Sequence, residues 1–134
     1  MEKKIVIAGG TGFIGKYFAN KFKALGYELI IISRNSSHIK WNDKKEIESA
    51  LNGAEMLINL AGKSVNCRYN QKNKDEILRS RTATTKILGD AILNCKNPPA
   101  LWINSSTATI YRHAMDKPMT ENQGEIGSGF SVDV

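Results

Sequence analysis

Gly9, Gly12 and Gly15, spaced three residues apart, follow the first apolar segment of this 134-residue chain. They belong to the segment Gly9-Gly10-Thr11-Gly12-Phe13-Ile14-Gly15. Between a strand and a helix, the first such glycine permits a tight turn, the second lets the main chain approach a diphosphate, and the third allows close helix packing. The N–H groups and partial positive charge of the helix N-terminus favour phosphate oxygens. The spacing therefore predicts a dinucleotide-binding loop, although turns and helix caps also use glycine.

The end of the second predicted strand bears on which dinucleotide is bound. Proteins that bind NAD place an acidic residue about 20 positions after the glycines, where it accepts a hydrogen bond from the ribose 2′-hydroxyl. This chain has Ser33-Arg34 there, and Glu28 comes too early on the strand. A guanidinium group cannot accept that bond but can bind a 2′-phosphate. We therefore expect NADP rather than NAD, with a merely solvated Arg34 as the alternative.

The elements that must position these residues alternate between strands and helices. Short β-branched or apolar runs predict strands at 4–8, 27–33, 38–41, 55–60 and 101–103. Apolar residues at intervals of three and four predict helices at 13–25, 44–51 and 75–94, the last with Ile77, Leu78, Ile87, Leu88, Ala91 and Ile92 on one face. This order predicts an α/β fold with a doubly wound parallel sheet.

Composition and charge exclude several other classes of protein. The net charge of +6 comes from dispersed lysines without interleaved aromatic residues, so we expect anionic ligands rather than nucleic acid. No apolar run approaches the roughly 20 residues of a membrane span, and we identify no targeting segment. Cys67 and Cys95 lack metal-ligand spacing, so we expect no metal site, reduced thiols and a cytoplasmic location.

Three motifs in order resemble those of the extended short-chain dehydrogenase/reductase superfamily. They are the glycine loop, then Asn59-Leu60-Ala61-Gly62, then Ser105-Ser106-Thr107-Ala108-Thr109-Ile110-Tyr111. Within that superfamily, Ala61-Gly62-Lys63-Ser64-Val65-Asn66, Ile77-Leu78-Arg79-Ser80-Arg81 with Thr84-Thr85, and Gly129-Phe130 resemble an epimerase-like branch. Its members are often named sugar-nucleotide epimerases or cell-division inhibitors.

The resemblance implies a Rossmann-type fold, an NAD(P) cofactor, and epimerase or oxidoreductase chemistry. It places Leu60, Ala61 and Gly62 beside the nicotinamide ribose and gives Thr107 the position of a catalytic hydroxyl, which could hydrogen-bond a substrate oxygen. Thr107 could equally end a strand and cap the next turn. Tyr111 is usually structural in this motif and is a weaker candidate for the acid. Arg81 could meet an anionic or nucleotide-linked substrate, or it could hold a neighbouring loop.

The chain departs from the superfamily pattern in its acid/base pair. The Tyr-x-x-x-Lys motif pairs a tyrosine with a lysine that lowers its pKa. Its two positions fall near Phe130 and Val134, and no tyrosine follows Tyr111. Catalysis by this chain is therefore in doubt. The alternatives are a non-catalytic module that senses NADP and a folded remnant without a ligand.

The length of the chain suits one domain. We expect 1–134 to form a single, partial NAD(P)-binding domain of the Rossmann type, truncated at its C-terminus, without the substrate domain of the superfamily. Missing strands would leave an apolar sheet edge, which favours a homodimer.

Overall fold

Five short apolar segments form one parallel sheet within residues 3–134, which the computed structural model describes apart from the side chain of Ala108. The strands are β1 (Lys4–Ala8), β2 (Glu28–Ser33), β3 (Ile39–Lys40), β4 (Met56–Asn59) and β5 (Leu101–Asn104). Their order in the sheet is β3-β2-β1-β4-β5, and every pairing is parallel. The predicted doubly wound, Rossmann-type sheet is confirmed.

The three predicted helices are present in the predicted order, with the first ending one residue earlier and the third beginning four residues earlier than predicted. The helices of the structure are α1 (Phe13–Ala24), α2 (Lys44–Leu51), α3 (Gln71–Asn94) and the short α4 (Phe130–Asp133), with a 3₁₀ turn at Ala108–Ile110. Gly26 and Gly53 come just after α1 and α2 with φ values of +83° and +77°, which suits glycine at helix ends. The prediction started α3 at residue 75, whereas it begins at Gln71 because the Asn70 side chain caps it.

Alternate residues of the central strands are buried on opposite faces of the sheet. Val6, Ala8 and Leu57 pack in the core that α2 and α3 cover. Ile5, Ile7 and Ile58 pack on the other side, against the aromatic residues of α1. Because helices lie on both faces, the loops at the carboxyl ends of β1, β4 and β5 meet at one open edge of the sheet.

Apolar side chains are exposed on β5 and on α3. β5 is the outer strand of the described sheet, and its Leu101 and Ile103 side chains are 47% and 42% exposed. The expected apolar edge is therefore present. Leu78 was predicted on the buried face of α3 but is exposed, because it lies about 100° around the helix from the buried Ile77 and so points off the face that packs on the core. Ile77, Leu88 and Ala91 form the buried stripe of this helix.

Neither thiol of the described chain is cross-linked. Cys67 and Cys95 are both free. Cys95 Sγ lies 3.2 Å from the Ala91 carbonyl oxygen, and burial raises the pKa of this thiol. Over residues 3–134, no helix combines the length and apolar character that crossing a membrane requires.

Candidate functional site

The first glycine of the loop makes a turn that a side chain would obstruct. Gly9 follows β1 with φ +75°, and its N–H donates to the Ile32 carbonyl at 2.8 Å. A Cβ atom at Gly9 would lie 2.8 Å from the Ala61 nitrogen. Gly9 therefore allows the glycine loop to pack directly against the segment that follows β4.

The second glycine leaves the N-terminus of α1 open. Gly12 is the N-cap residue, no side chain caps the helix, and its first turn contains no acidic residue. A Cβ at Gly12 would meet only the Gly9 carbonyl oxygen, at 3.7 Å. The first-turn N–H groups of α1 are thus left without a side-chain cap, and an anion could approach them.

The third glycine packs closely, but against the loop itself. A Cβ at Gly15 would lie 2.5 Å from the Gly10 Cα, and Gly10 in turn rests on the side chains of Ile7 and Ile31. The sequence predicted close contact of the helix with the sheet, and Gly10 mediates that contact. The Phe13 side chain is 93% exposed, so this residue offers the loop only its main chain.

The turn after β2 lies beside the glycine loop. Ser33 is buried, and its Oγ accepts a hydrogen bond from the Asn35 N–H at 3.0 Å. Arg34 is exposed at the carboxyl end of the strand. A groove of about 540 Å³ joins the two segments, and it is lined by Gly10, Thr11, Lys16, Ala19, Asn20, Ile31, Asn35 and His38. Sequence reasoning missed Lys16 and His38, because a single lysine on a helix and a single histidine in a loop resemble ordinary surface residues.

A pair of asparagines joins the carboxyl ends of β4 and β5. Asn59 is buried, and its Nδ2 donates to Asn104 Oδ1 at 2.7 Å and to Thr85 Oγ1 at 3.4 Å. Its Oδ1 accepts from the Ala61 N–H at 3.1 Å. This link fixes the start of the segment after β4. The sequence carried a signal for it, since both asparagines end strands that pair in register.

The segment after β4 is also tied to α3. The Lys63 N–H donates to Ser80 Oγ at 2.8 Å, and Lys63 Nζ pairs with Glu76. The hydrogen bond from Lys63, and then its charge, lower the pKa of Glu76. Arg81 Nη1 donates to the carbonyl oxygens of Lys63 and Ile77, both at 3.2 Å. Arg81 therefore holds the neighbouring loop, as one of its two predicted roles required.

These segments enclose what we call the main cleft, a cavity of about 1020 Å³ at the carboxyl ends of β4 and β5. The segment 59–65 forms one wall, α3 the second, and the residues after β5 the third. Phe130 of α4 lines this cleft, and its ring lies 5.4 Å from the ring of Tyr69 in an edge-on arrangement. Leu60, Ala61, Gly62 and Thr107, all predicted site residues, are thereby brought together.

Thr107 has both of the features that its two predicted roles require. Its Oγ1 accepts from the Thr109 N–H at 3.2 Å and lies 3.1 Å from Thr109 Oγ1, so it caps the 3₁₀ turn. The same residue lines the main cleft. The hydroxyl is therefore held in place at the wall of the cavity.

Tyr111 lies away from these residues. Its ring occupies the space beside Gly124, where a Cβ would be only 2.2 Å from Tyr111 Cε1, and its backbone pairs with Ile126. Tyr111 lines a separate surface pocket with His113 rather than the main cleft. Within residues 3–134, no group of three or more His, Cys, Asp or Glu side chains could hold a metal ion.

Residues 5–128 match the model of the NAD dependent epimerase/dehydratase family. The chain belongs to this family. It is 32% identical to the epimerase family protein SDR39U1 of Mus musculus over 124 residues, which are 89% of this chain and 42% of that protein. The chain thus spans less than half of the length of this relative.

Solved structures of the family share this fold. The human epimerase family protein SDR39U1, solved with NADPH, is 28% identical and superposes with a TM-score of 0.82 over 97% of this chain and 45% of its own. The UDP-glucose-4-epimerase of Stenotrophomonas maltophila, solved with NAD, superposes with a TM-score of 0.78 at 17% identity, over 98% of this chain and 45% of its own. The predicted superfamily and its epimerase-like branch are confirmed.

Proposed function

We propose that this chain binds a nicotinamide dinucleotide, NADP in preference to NAD, for the epimerase or oxidoreductase chemistry of its family. The observation that carries the proposal is the glycine loop. Gly9 turns the chain sharply against Ala61, and Gly12 leaves the N-terminus of α1 uncapped and open. These residues fit a diphosphate, whose charge the helix N-terminus favours.

The preference for NADP rests on the residues beside the loop. Arg34 is exposed at the end of β2, and the adjoining groove carries Lys16 and His38. A cationic rim suits the dianionic 2′-phosphate of NADP, whereas the ribose of NAD calls for an acceptor. The NADPH in the human relative agrees with this assignment.

The main cleft is the proposed place for the nicotinamide and the substrate. A bound nicotinamide supplies the site that donates or accepts hydride. In this chain, Leu60, Ala61 and Gly62 would flank its ribose, and the held Thr107 hydroxyl would hydrogen-bond the substrate oxygen. Asn59 would act through the segment after β4 by fixing its first turn.

Titration of the purified chain with NADPH, NADH, NADP and NAD by calorimetry tests this proposal. We expect NADPH to bind more tightly than NADH. Arg34→Ala should weaken NADPH binding by about tenfold and leave NADH binding nearly unchanged, because it removes a charged hydrogen-bond donor to the 2′-phosphate. The matched control is Arg79→Ala, which removes another exposed arginine, on α3.

Two results would contradict the proposal. If none of the four dinucleotides bound at millimolar concentration, the cofactor assignment would fail. If Arg34→Ala weakened NADPH and NADH binding equally, the NADP preference would lose its basis.

A second candidate function is that of a binding module that senses the NADP pool without turnover. The position of Phe130 favours it, since an aromatic hydrocarbon lines the main cleft where the superfamily pattern expects a proton-transferring tyrosine. This candidate predicts tight NADPH binding with no NADPH oxidation in the presence of UDP-sugars or simple aldehydes. NADPH oxidation that Thr107→Val abolished would favour the enzyme.

A further inference from the structure

The charged side chains that line the main cleft all carry the same sign. Among the described residues they are Lys63, Arg81 and Lys86, and no aspartate or glutamate side chain lines this cavity. Lining side chains that carry only positive charge attract anions, and low-dielectric walls strengthen that field. The cleft is therefore suited to a negatively charged ligand.

Only one of these three cations lacks a carboxylate partner in the described chain. Lys63 pairs with Glu76, and Lys86 pairs with Asp90 at 2.9 Å. Arg81 forms no ion pair within residues 3–134, and its two protein hydrogen bonds both come from Nη1 and end on main-chain carbonyls. Its positive charge is therefore not neutralised, although the side chain is half-buried.

The guanidinium group of Arg81 is held in a fixed position. A Cβ at Gly62 would lie 3.2 Å from Arg81 Cζ and 3.4 Å from both terminal nitrogens, so the group packs flat against a residue without a side chain. The carbonyl oxygens of Lys63 and Ile77 hold one edge of the fork. A rigid, planar fork loses little entropy when it binds a carboxylate or phosphate.

From this arrangement we propose that the main cleft accepts a substrate that carries a carboxylate or phosphate group, and that Arg81 binds this group. The proposal rests on the proposed function, in which the same cleft holds the nicotinamide. Arg81 stands on the α3 wall, and Thr107 lies on the wall that follows β5. The substrate would thus be bound at its charged group on one wall and at its reacting oxygen on the other.

Three substitutions test whether Arg81 binds the anionic group. Arg81→Gln removes the charge but keeps an amide donor for the carbonyl oxygens of the loop. Arg81→Lys keeps the charge but loses the fork. Arg79→Gln is the matched control, since Arg79 is exposed two residues earlier on α3 and does not line the cleft.

The experiment titrates glucose 6-phosphate, glucuronate and glucose against the chain with and without saturating NADPH, observed by ligand NMR. We expect at least one of the two anions to bind the wild type more tightly than glucose. Arg81→Gln should weaken that binding by at least about tenfold, and Arg81→Lys by less. Arg79→Gln should bind the anion and NADPH as the wild type does.

Two outcomes would overturn the proposal. These are anions that bind no better than glucose and anion binding that survives Arg81→Gln. If Arg81→Gln is unstable, Arg81→Lys tests the proposal instead. Unchanged anion binding in Arg81→Lys would contradict a role for the guanidinium group. Failure of wild-type NADPH binding would instead contradict the proposed function and is seen before any anion is added.

Discussion

At the scale of single residues, alanine substitutions at Gly12 and Gly9 should affect different properties: the first mainly cofactor binding, the second mainly stability. Gly12→Ala adds a methyl group that meets only a carbonyl oxygen at 3.7 Å, and the residue has an ordinary φ of −76°. The fold should therefore keep most of its stability, with a small loss because alanine is a poorer N-cap residue than glycine. The methyl group intrudes where a diphosphate would approach the main chain, so we expect NADPH binding to weaken by at least about tenfold and Tm to fall less than in Gly9→Ala.

Gly9→Ala should instead lower the stability of the fold. Its φ of +75° and a Cβ contact of 2.8 Å with Ala61 strain any side chain there. Left-handed backbone costs about 1–2 kcal/mol for an L-residue, and the contact adds to that. Urea denaturation should show this loss. Equal Tm values for the two variants would contradict the described loop geometry.

The link between the buried Asn59 and the exposed Asn104 gives a second residue-level prediction. Asn104→Ala removes the acceptor at 2.7 Å from Asn59 Nδ2, leaving the longer contact with Thr85. We expect the free energy of unfolding to fall by about 1–2 kcal/mol. In a double-mutant cycle with Asn59→Ala, the two losses should not add, since both remove the same bond. Additive losses would show that the bond contributes nothing.

Residue roles that depend on distant partners were beyond prediction from the sequence. The carbonyl that Arg81 contacts belongs to Lys63, and the Tyr111 ring fits beside Gly124. Neither contact is indicated by hydrophobic periodicity or by a sequence motif. The glycine loop could be predicted because its function lies in consecutive backbone atoms.

At the scale of elements, the start of α3 shows how capping determines a boundary. Residues 71–74 have no apolar side chain, so periodicity placed the start of the helix at 75. The structure begins it at Gln71 because Asn70 Oδ1 accepts from the Asn73 N–H at 2.9 Å. Helix α2 begins directly after its N-cap residue Asp43, and both of its ends agree with the prediction. Asn70→Ala should cost about 1 kcal/mol in chemical denaturation, and Asn70→Asp should retain most of the cap.

Ion pairs join side chains within the segment 111–127, so part of its stability depends on pH. Arg112 pairs with Asp116 and Glu125, and Lys117 also pairs with Glu125. The hydrogen bonds from Arg112 and Lys117 lower the pKa of Glu125 to about 2. Since this pKa is lower when folded, the stabilisation is present above the ordinary value of about 4.3 and is lost as the pH falls through 2.

Carboxyl-detected NMR titration measures this effect. The Glu125 carboxyl should titrate near pH 2, and Glu125→Gln should remove the accompanying shifts of residues 111–127. A midpoint near 4.3 would mean that the ion pairs do not form in solution.

At the scale of the whole molecule, the alternation of strands and helices was enough to predict the sheet but not what surrounds it. The order β3-β2-β1-β4-β5 follows from short right-handed crossovers. The main cleft depends instead on how the residues after β5 fold back, bringing Phe130 against Tyr69. That return passes through polar loops, whose paths hydrophobic patterning does not determine.

The exposed outer strand β5 should make the chain self-associate. Leu101 and Ile103 pair in register with Met56 and Ile58, so they point to the same face of the sheet, yet they are largely exposed. An apolar strand with unpaired backbone groups favours pairing with another chain. In sedimentation velocity, the wild-type chain should associate as its concentration rises. Ile103→Lys should suppress this with little change in Tm, whereas Leu93→Lys, at an 84% exposed position on α3, should not. A wild-type chain that stays monomeric, or equal suppression by Leu93→Lys, would show that the β5 edge does not drive association.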